Sequence, residues 1–207
     1  MDETSWPEVS AVVAAAPYPV EVLPVDPVRG SECLSALGIT VRSWLGAVVA
    51  NCGGLLVDHG WLRVLGGGCS GLPAVALPAT DTVGLTVAYD VMGGQFAWLP
   101  GQANAAPTVH YFGPEDLTWQ DLELGYADWL HAMLGGSLTA FYAALRWPGW
   151  EAEVATVPPD QGISAWPPPF TREGKDLSAV SRKAIPLGEL VSVYEDFAQQ
   201  LGSNVQE

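Results

Sequence analysis

The chain has 207 residues, the length of one large domain or at most two small ones, and 49% of them are apolar, enough to build a core. Charged residues make up only 15%, and 23 Asp and Glu against 8 Lys and Arg leave a formal net charge of −15. Such a surface repels nucleic-acid phosphates at every approach and is disfavoured at an anionic membrane, which excludes a general nucleic-acid binder and argues against membrane docking.

In chain order, Ser5 and Pro7 suggest a capped helix start, with Val9, Val12, Val13 and Ala16 on one face and an end before Pro17. An extended piece is expected over Val20 to Leu23. Asp26-Pro27 opens a second helix, for which Gly38 is a suitable C-terminal residue. From Trp44 to Leu65 the pattern reads as strands: Ala47–Ala50 and Leu55–Val57 flank Cys52-Gly53-Gly54 as a hairpin, and Asp58-His59-Gly60 turns the chain into Trp61–Leu65. Residues 66 to 80 are a loop rich in Gly and Pro. Leu85–Tyr89 and Gln95–Leu99 bracket Gly93-Gly94 as another hairpin, and Val109–Phe112 is a further strand.

After Trp119 the period changes. Leu122, Tyr126, Trp129, Leu130, Met133 and Leu134 recur at steps of three and four, which predicts a helix stopped by Gly135-Gly136. Ser137 is expected to cap the next one, Leu138 to Trp147. A proline-rich linker (158–169) leads to a last amphipathic helix marked by Leu187, Leu190, Val191, Tyr194, Phe197 and Leu201. Helices at both ends around a run of hairpins predict a single α+β domain over 1–207 with an antiparallel sheet.

The N-terminus is acidic where a signal peptide would be basic, and Ala11–Ala16 is too short for a signal core. No apolar run approaches the ~18–20 residues of a membrane span. Cys33, Cys52 and Cys69 are an odd set without a CxxC pair, which fits reduced thiols in a bacterial cytoplasm and cysteine used as a small hydrophobe.

Several constellations could carry chemistry. Gly66 to Gly71 matches GxGxxG after a strand, but Pro73 and Pro78 oppose the helix that a dinucleotide site requires. The same loop holds Cys69 in a G-x-C-x-G setting. A hydrolase would need His59, His110 or His131 beside it and Asp58, Asp90 or Asp128 to orient the imidazole, and no spacing selects a triad. Cys52, His59, Cys69 and His110 could bind a metal but show no close ligand pair. No metal or other cofactor is therefore expected.

Carboxylates cluster at Glu115, Asp116, Asp121, Glu123 and Asp128, where a helical reading makes them a solvated face compatible with the helix dipole and able to steer toward a basic partner. Trp119, Tyr126, Trp129, Phe141, Tyr142, Trp147 and Trp150 favour core packing, with a minority free to act as exposed anchors. Half of the basic residues, Arg172, Lys175, Arg182 and Lys183, fall in one span. They could hold an anion, or the span could be a loop pinned to the acidic body by internal pairs.

Long ordered segments then look familiar together. They are Val20–Pro24, Gly53–Gly66, Asp90–Ala97, Val109–Pro114 with Leu117–Trp119, Phe141-Tyr142 with Leu145–Trp147, and Thr171–Asp176 with Ser181–Lys183. Over Val20 to Ile185 the chain resembles the bacterial domain of unknown function 2625 family, which brings no catalytic residues with it. More remotely, the order of helices, hairpins and a Trp-rich helix resembles the SUKH superfamily, many of whose members are immunity proteins that neutralise toxins. The resemblance implies a SUKH-like fold and a cytoplasmic, non-catalytic protein that binds a protein partner such as a basic toxin. Glu115, Asp116, Trp119, Asp121, Glu123 and Asp128 are the candidate contact residues. The alternatives are a hydrolase-type enzyme using the Cys69 loop and a structural homo-oligomer.

Overall fold

The structure is a computed structural model that describes residues 4–75, 84–101 and 105–203. Its centre is an antiparallel seven-stranded meander in which chain order is spatial order: β1 (Val20–Leu23), β2 (Gly54–Val57), β3 (Leu62–Leu65), β4 (Leu85–Asp90), β5 (Gln95–Leu99), β6 (Thr108–Phe112) and β7 (Trp119–Asp121). Short turns suffice for such an order. The expected turn at Asp58-His59-Gly60 joins β2 to β3 and the expected hairpin around Gly93-Gly94 joins β4 to β5, whereas the hairpin expected around Cys52-Gly53-Gly54 does not form. At β4–β5, Gly93 has φ 90°.

The N-terminal helices are α1 (Trp6–Ala14), α2 (Pro27–Leu37) and α3 (Trp44–Asn51). Asp26 caps α2 by accepting from the Val28 N–H, and Gly38 closes it in the left-handed region. Helix α3 corrects the expected strand over Ala47–Ala50. A short apolar run looks alike in a buried helix and a buried strand, and the deciding signal is local. The Ser43 hydroxyl accepts from the Gly46 N–H at 3.0 Å, and a Cβ at Gly46 would meet the Thr40 carbonyl at 2.0 Å, so the chain can coil only around a glycine. Leu45 to Val49 are all buried between α1, α2 and α4.

Helix α4 (Tyr126–Ala132) runs into a π-type turn, Met133–Ser137, where Gly136 at φ 115° kinks the axis before the short α5 (Leu138–Phe141). The expected helix to Trp147 therefore stops early, and Ser137 makes no side-chain cap. The expected linker is also structured. It follows α6 (Trp150–Val154) and contains β8 (Gln161–Trp166), which pairs with β9 (Ser181–Pro186) in a second, two-stranded sheet ahead of α7 (Leu187–Ser203).

Strand alternation assigns these layers to opposite sides of the meander. Phe96 and its partner Tyr111 face α4 and α5, in ring contact with Trp129 and Phe141. Their neighbours Gln95 and Phe112 face the other way, toward Glu195 and Leu190 of α7. The chain is a single α+β domain with one main core and a smaller cluster of Phe112, Leu117, Leu190 and Tyr194 beneath α7. The expected loop is ordered over Gly66–Val75, which lies back along Cys52 and Gly53 through backbone bonds, while 76–80 fall outside the described residues. No helix among the described residues is long and apolar enough to cross a membrane.

Candidate functional site

The acidic segment is not helical before Tyr126. Asp116 accepts from the Thr118 N–H at 3.2 Å and Asp121 from the Glu123 N–H at 2.8 Å, local bonds that compete with helix formation. Leu117 and Glu123 adopt φ of 56° and 58°, which interrupts a helix on both sides of Trp119. The open edge of β6 takes the intervening residues as β7, pairing His110 with Asp121, Tyr111 with Gln120 and Phe112 with Trp119. Only Asp128 lies on α4 as expected, exposed in its first turn. The helical spacing of the apolar positions started too early because Leu122 belongs to the strand connection, bonded through its N–H to Val109.

The outer edge of β7 therefore carries an exposed group of unlike chemistry. Trp119 is 46% exposed, with its ring 5.4 Å from that of Phe112. Glu115, Asp116, Asp121, Glu123 and Asp128 are all exposed. Alternation puts Trp119 and Asp121 on the α7 side of the sheet together with His110, whose Nε2 is 3.7 Å from the Asp121 carboxylate. The backbone bond from Glu123 holds the Asp121 carboxyl below its ordinary range, with His110 a lesser contributor.

Glu115 differs from its neighbours. Although the residue has an exposed side, its carboxyl lies over Gly113, where a Cβ would meet Oε2 at 2.4 Å, and it lines a cleft of about 270 Å³ with Lys175 and Leu177. Desolvation raises this carboxyl to about 7, aided by the charges of Asp90 and Asp116 and opposed by its own backbone N–H. Behind it, Asp90 is wholly buried. The Tyr111 and Tyr142 hydroxyls donate to its Oδ2 at 2.9 and 3.1 Å, and the Met92 and Gly94 N–H groups to its Oδ1 at 2.9 and 2.8 Å. Burial raises Asp90, and these four donors work in the opposite direction. The cluster joins β4, β6 and the segment after α5 as one fully hydrogen-bonded unit.

The residues proposed for hydrolysis are not brought together. Asp58 gives its carboxylate to Arg146 Nη2 at 2.5 Å, and that guanidinium lies 4.0 Å from the Trp150 ring centroid and 5.1 Å from that of Trp61. His59 is exposed and meets Trp150 edge-on. His110 is engaged at β7, and His131 packs near Trp44. Cys69 bridges to Leu72 and touches the Gly53 backbone, beside Cys52, whose thiol burial pushes up to about 12. Gly66–Gly71 leads into this return loop and opens no helix. No group of three or more His, Cys, Asp or Glu side chains among the described residues is arranged to hold a metal ion.

Of the basic span, Arg182 is pinned internally. It binds Glu153 at 3.1 and 3.2 Å and lies 4.4 Å from the Trp147 ring centroid. Tyr126, Trp129, Tyr142, Trp147 and Trp150 are buried, and Trp119 alone of the aromatic candidates named above stands exposed. Trp166, which the sequence pattern did not single out, is more exposed still at 67%.

A family model described as protein of unknown function DUF2625 matches residues 1–190, which takes in the whole meander, β8, β9 and the start of α7. The chain belongs to that family. A DUF2625 match of this extent bears out the resemblance read between Val20 and Ile185. Among its relatives, the uncharacterised Escherichia coli K12 protein YbfG is 32% identical over 196 residues, covering 91% of this chain and 89% of that protein. An uncharacterised protein of Haemophilus influenzae is 31% identical over 164 residues, covering 74% of this chain and 72% of its own length. No solved structure matches.

Proposed function

We propose that the chain is a non-catalytic binding protein that docks a cationic protein on the acidic edge formed by β7. The observation that carries this reading is Trp119, an exposed aromatic on an unpaired sheet edge with Asp116, Asp121 and Glu123 close in sequence around it. An amphipathic anchor surrounded by carboxylates suits a basic surface: the ring supplies buried area, and the charges supply orientation and encounter rate. The local bonds at Asp116 and Asp121 hold two of those carboxylates in place before any partner arrives, which lowers the ordering cost. The net charge of −15 favours capture of a cation over an anion.

Following the remote SUKH-like order of elements in the sequence, the partner proposed is a basic toxin, with the chain as its immunity protein in the cytoplasm. Three unpaired thiols, Cys33, Cys52 and Cys69, support that compartment. Co-expression with a basic toxin encoded beside the gene tests the proposal. Protection by the wild-type chain that is lost in Trp119→Ala combined with Asp121→Lys supports it. Neither binding nor protection from any such toxin refutes it.

A further inference from the structure

The sheet face that ends at Trp119 ends at its opposite edge in a different chemistry. One cross-strand row passes through all seven strands: Glu21, Leu56, Arg63, Tyr89, Gln95, Phe112, Trp119. Its third member, Arg63, is 1% exposed. The guanidinium donates from Nε to the Gly60 carbonyl at 3.2 Å and from Nη1 to the carbonyls of Pro159 and Gln161. Nη2 is buried without a hydrogen-bond partner, and none of the ion pairs among the described residues involves this side chain. Asp90 and Asp160 act on it only at longer range, and burial lowers its pKa to about 10. A buried cation is ordinarily matched by a counter-charge, since a charge left alone in the interior is strongly destabilising, and a guanidinium prefers a carboxylate fork.

Arg63 also lines a hollow of about 190 Å³, with Leu56, Val157 and Pro159 as apolar walls and Glu21 and His59 among the other lining residues. That volume is below the ~300–1,000 Å³ of ordinary small-molecule pockets, so it suits a ligand of few atoms. His59 occupies the turn at φ 60°, between Asp58 at 54° and Gly60 at 84°. Glycine or asparagine fills a left-handed turn position at lower cost, and non-glycine residues held there concentrate at ligand sites.

We propose that this hollow binds a small carboxylate, which takes the remaining donor capacity of the Arg63 guanidinium beneath the His59 turn. Two sources present that group. A free amino acid brings an ammonium that Glu21 can meet, and a peptide C terminus brings a carboxylate alone. The site is independent of the acidic β7 edge and stands or falls separately from it.

The test is a nuclear magnetic resonance titration of the ¹⁵N-labelled full chain with glycine, N-acetylglycine and N-acetylglycinamide. Saturable shifts of the His59 and Gly60 amides and the Arg63 Nε–H with the two acids, absent with the amide, support the proposal. Tighter binding of glycine assigns the amino acid, tighter binding of N-acetylglycine assigns the peptide terminus, and equal binding assigns the carboxylate itself. Glu21→Gln, an exposed change that leaves the buried arginine in place, is expected to strengthen N-acetylglycine binding by about threefold by removing a like charge. Arg63→Gln is expected to abolish it. No saturable shift with either acid, equal shifts from the amide, or indifference to Glu21→Gln in the folded protein overturns the proposal.

Discussion

Asp90 has no solvent exposure, yet two tyrosine hydroxyls and two backbone amides converge on its carboxyl group. Removing one charge-assisted donor there costs ~1.5–3 kcal/mol, so Tyr142→Phe is expected to lower stability by that amount in urea unfolding, with an unchanged slope. The Asp58–Arg146 pair sets a larger penalty. Both side chains are nearly buried and Arg146 lies against Trp150, so Arg146→Met strands the carboxylate and is expected to cost ~3–5 kcal/mol.

Glu115 gives a pH signature. Its folded pKa of about 7 lies above its ordinary value of 4.5, so the folded state holds the proton more tightly than the unfolded one. The favourable contribution is complete below the unfolded value and is lost as pH rises toward 7. Glu115→Gln is therefore expected to melt roughly 2–4 °C higher than the wild type at pH 8 and within a degree of it at pH 4. A constant difference at both values would contradict the burial of that carboxyl. None of these side chains was legible as a cluster in the sequence, because Asp90, Tyr111, Tyr142 and Glu115 meet only when β4, β6 and the segment after α5 pack.

Among the elements, those with a self-contained local signal were legible. β4 and β5 around Gly93-Gly94, α2 between Asp26 and Gly38, and the amphipathic α7 each carry their own start, stop or period. Helix α3 was not, since Leu45–Val49 is apolar on every side and its hydrophobic pattern has no period to read. Its cap is the distinguishing feature, and Ser43→Ala is expected to cost ~1 kcal/mol of stability. Strand β7 was hidden for another reason. Its three residues depend on β6 for their bonds, and the Asx-type turns at Asp116 and Asp121 that exclude a helix are weak signals in isolation. The prolines of 158–169 likewise concealed β8, which needs β9, some fifteen residues later, to become a strand. Of the candidate contact residues, Trp119 and Asp121 lie on β7, Glu115, Asp116 and Glu123 flank it, and Asp128 lies on α4, all of them exposed.

At the scale of the molecule, the meander separates a helix-covered face from one that α7 and β8–β9 cover only over its middle. The row from Glu21 to Trp119 runs under that cover and emerges at both edges. One end pairs a buried guanidinium with a small hollow, and the other presents tryptophan among carboxylates. Acidic composition motivates the proposal of a cationic partner, whereas the placement of the charges on a sheet edge required the fold. Electrostatic steering makes a further demand. Association with a cationic protein is expected to slow at least tenfold between 20 and 300 mM salt, read by stopped-flow fluorescence of the exposed tryptophans, while dissociation changes little.

The most direct test of the acidic edge as a docking surface is a calorimetric titration of the full chain with a basic toxin encoded beside its gene. The wild type is set against Asp116→Lys/Asp121→Lys/Glu123→Lys, three exposed changes that leave the core untouched. The expected result is a one-to-one complex in the wild type and a loss of at least a hundredfold in affinity in the triple variant. Undiminished affinity in the triple variant, or no complex with the wild type, would contradict it.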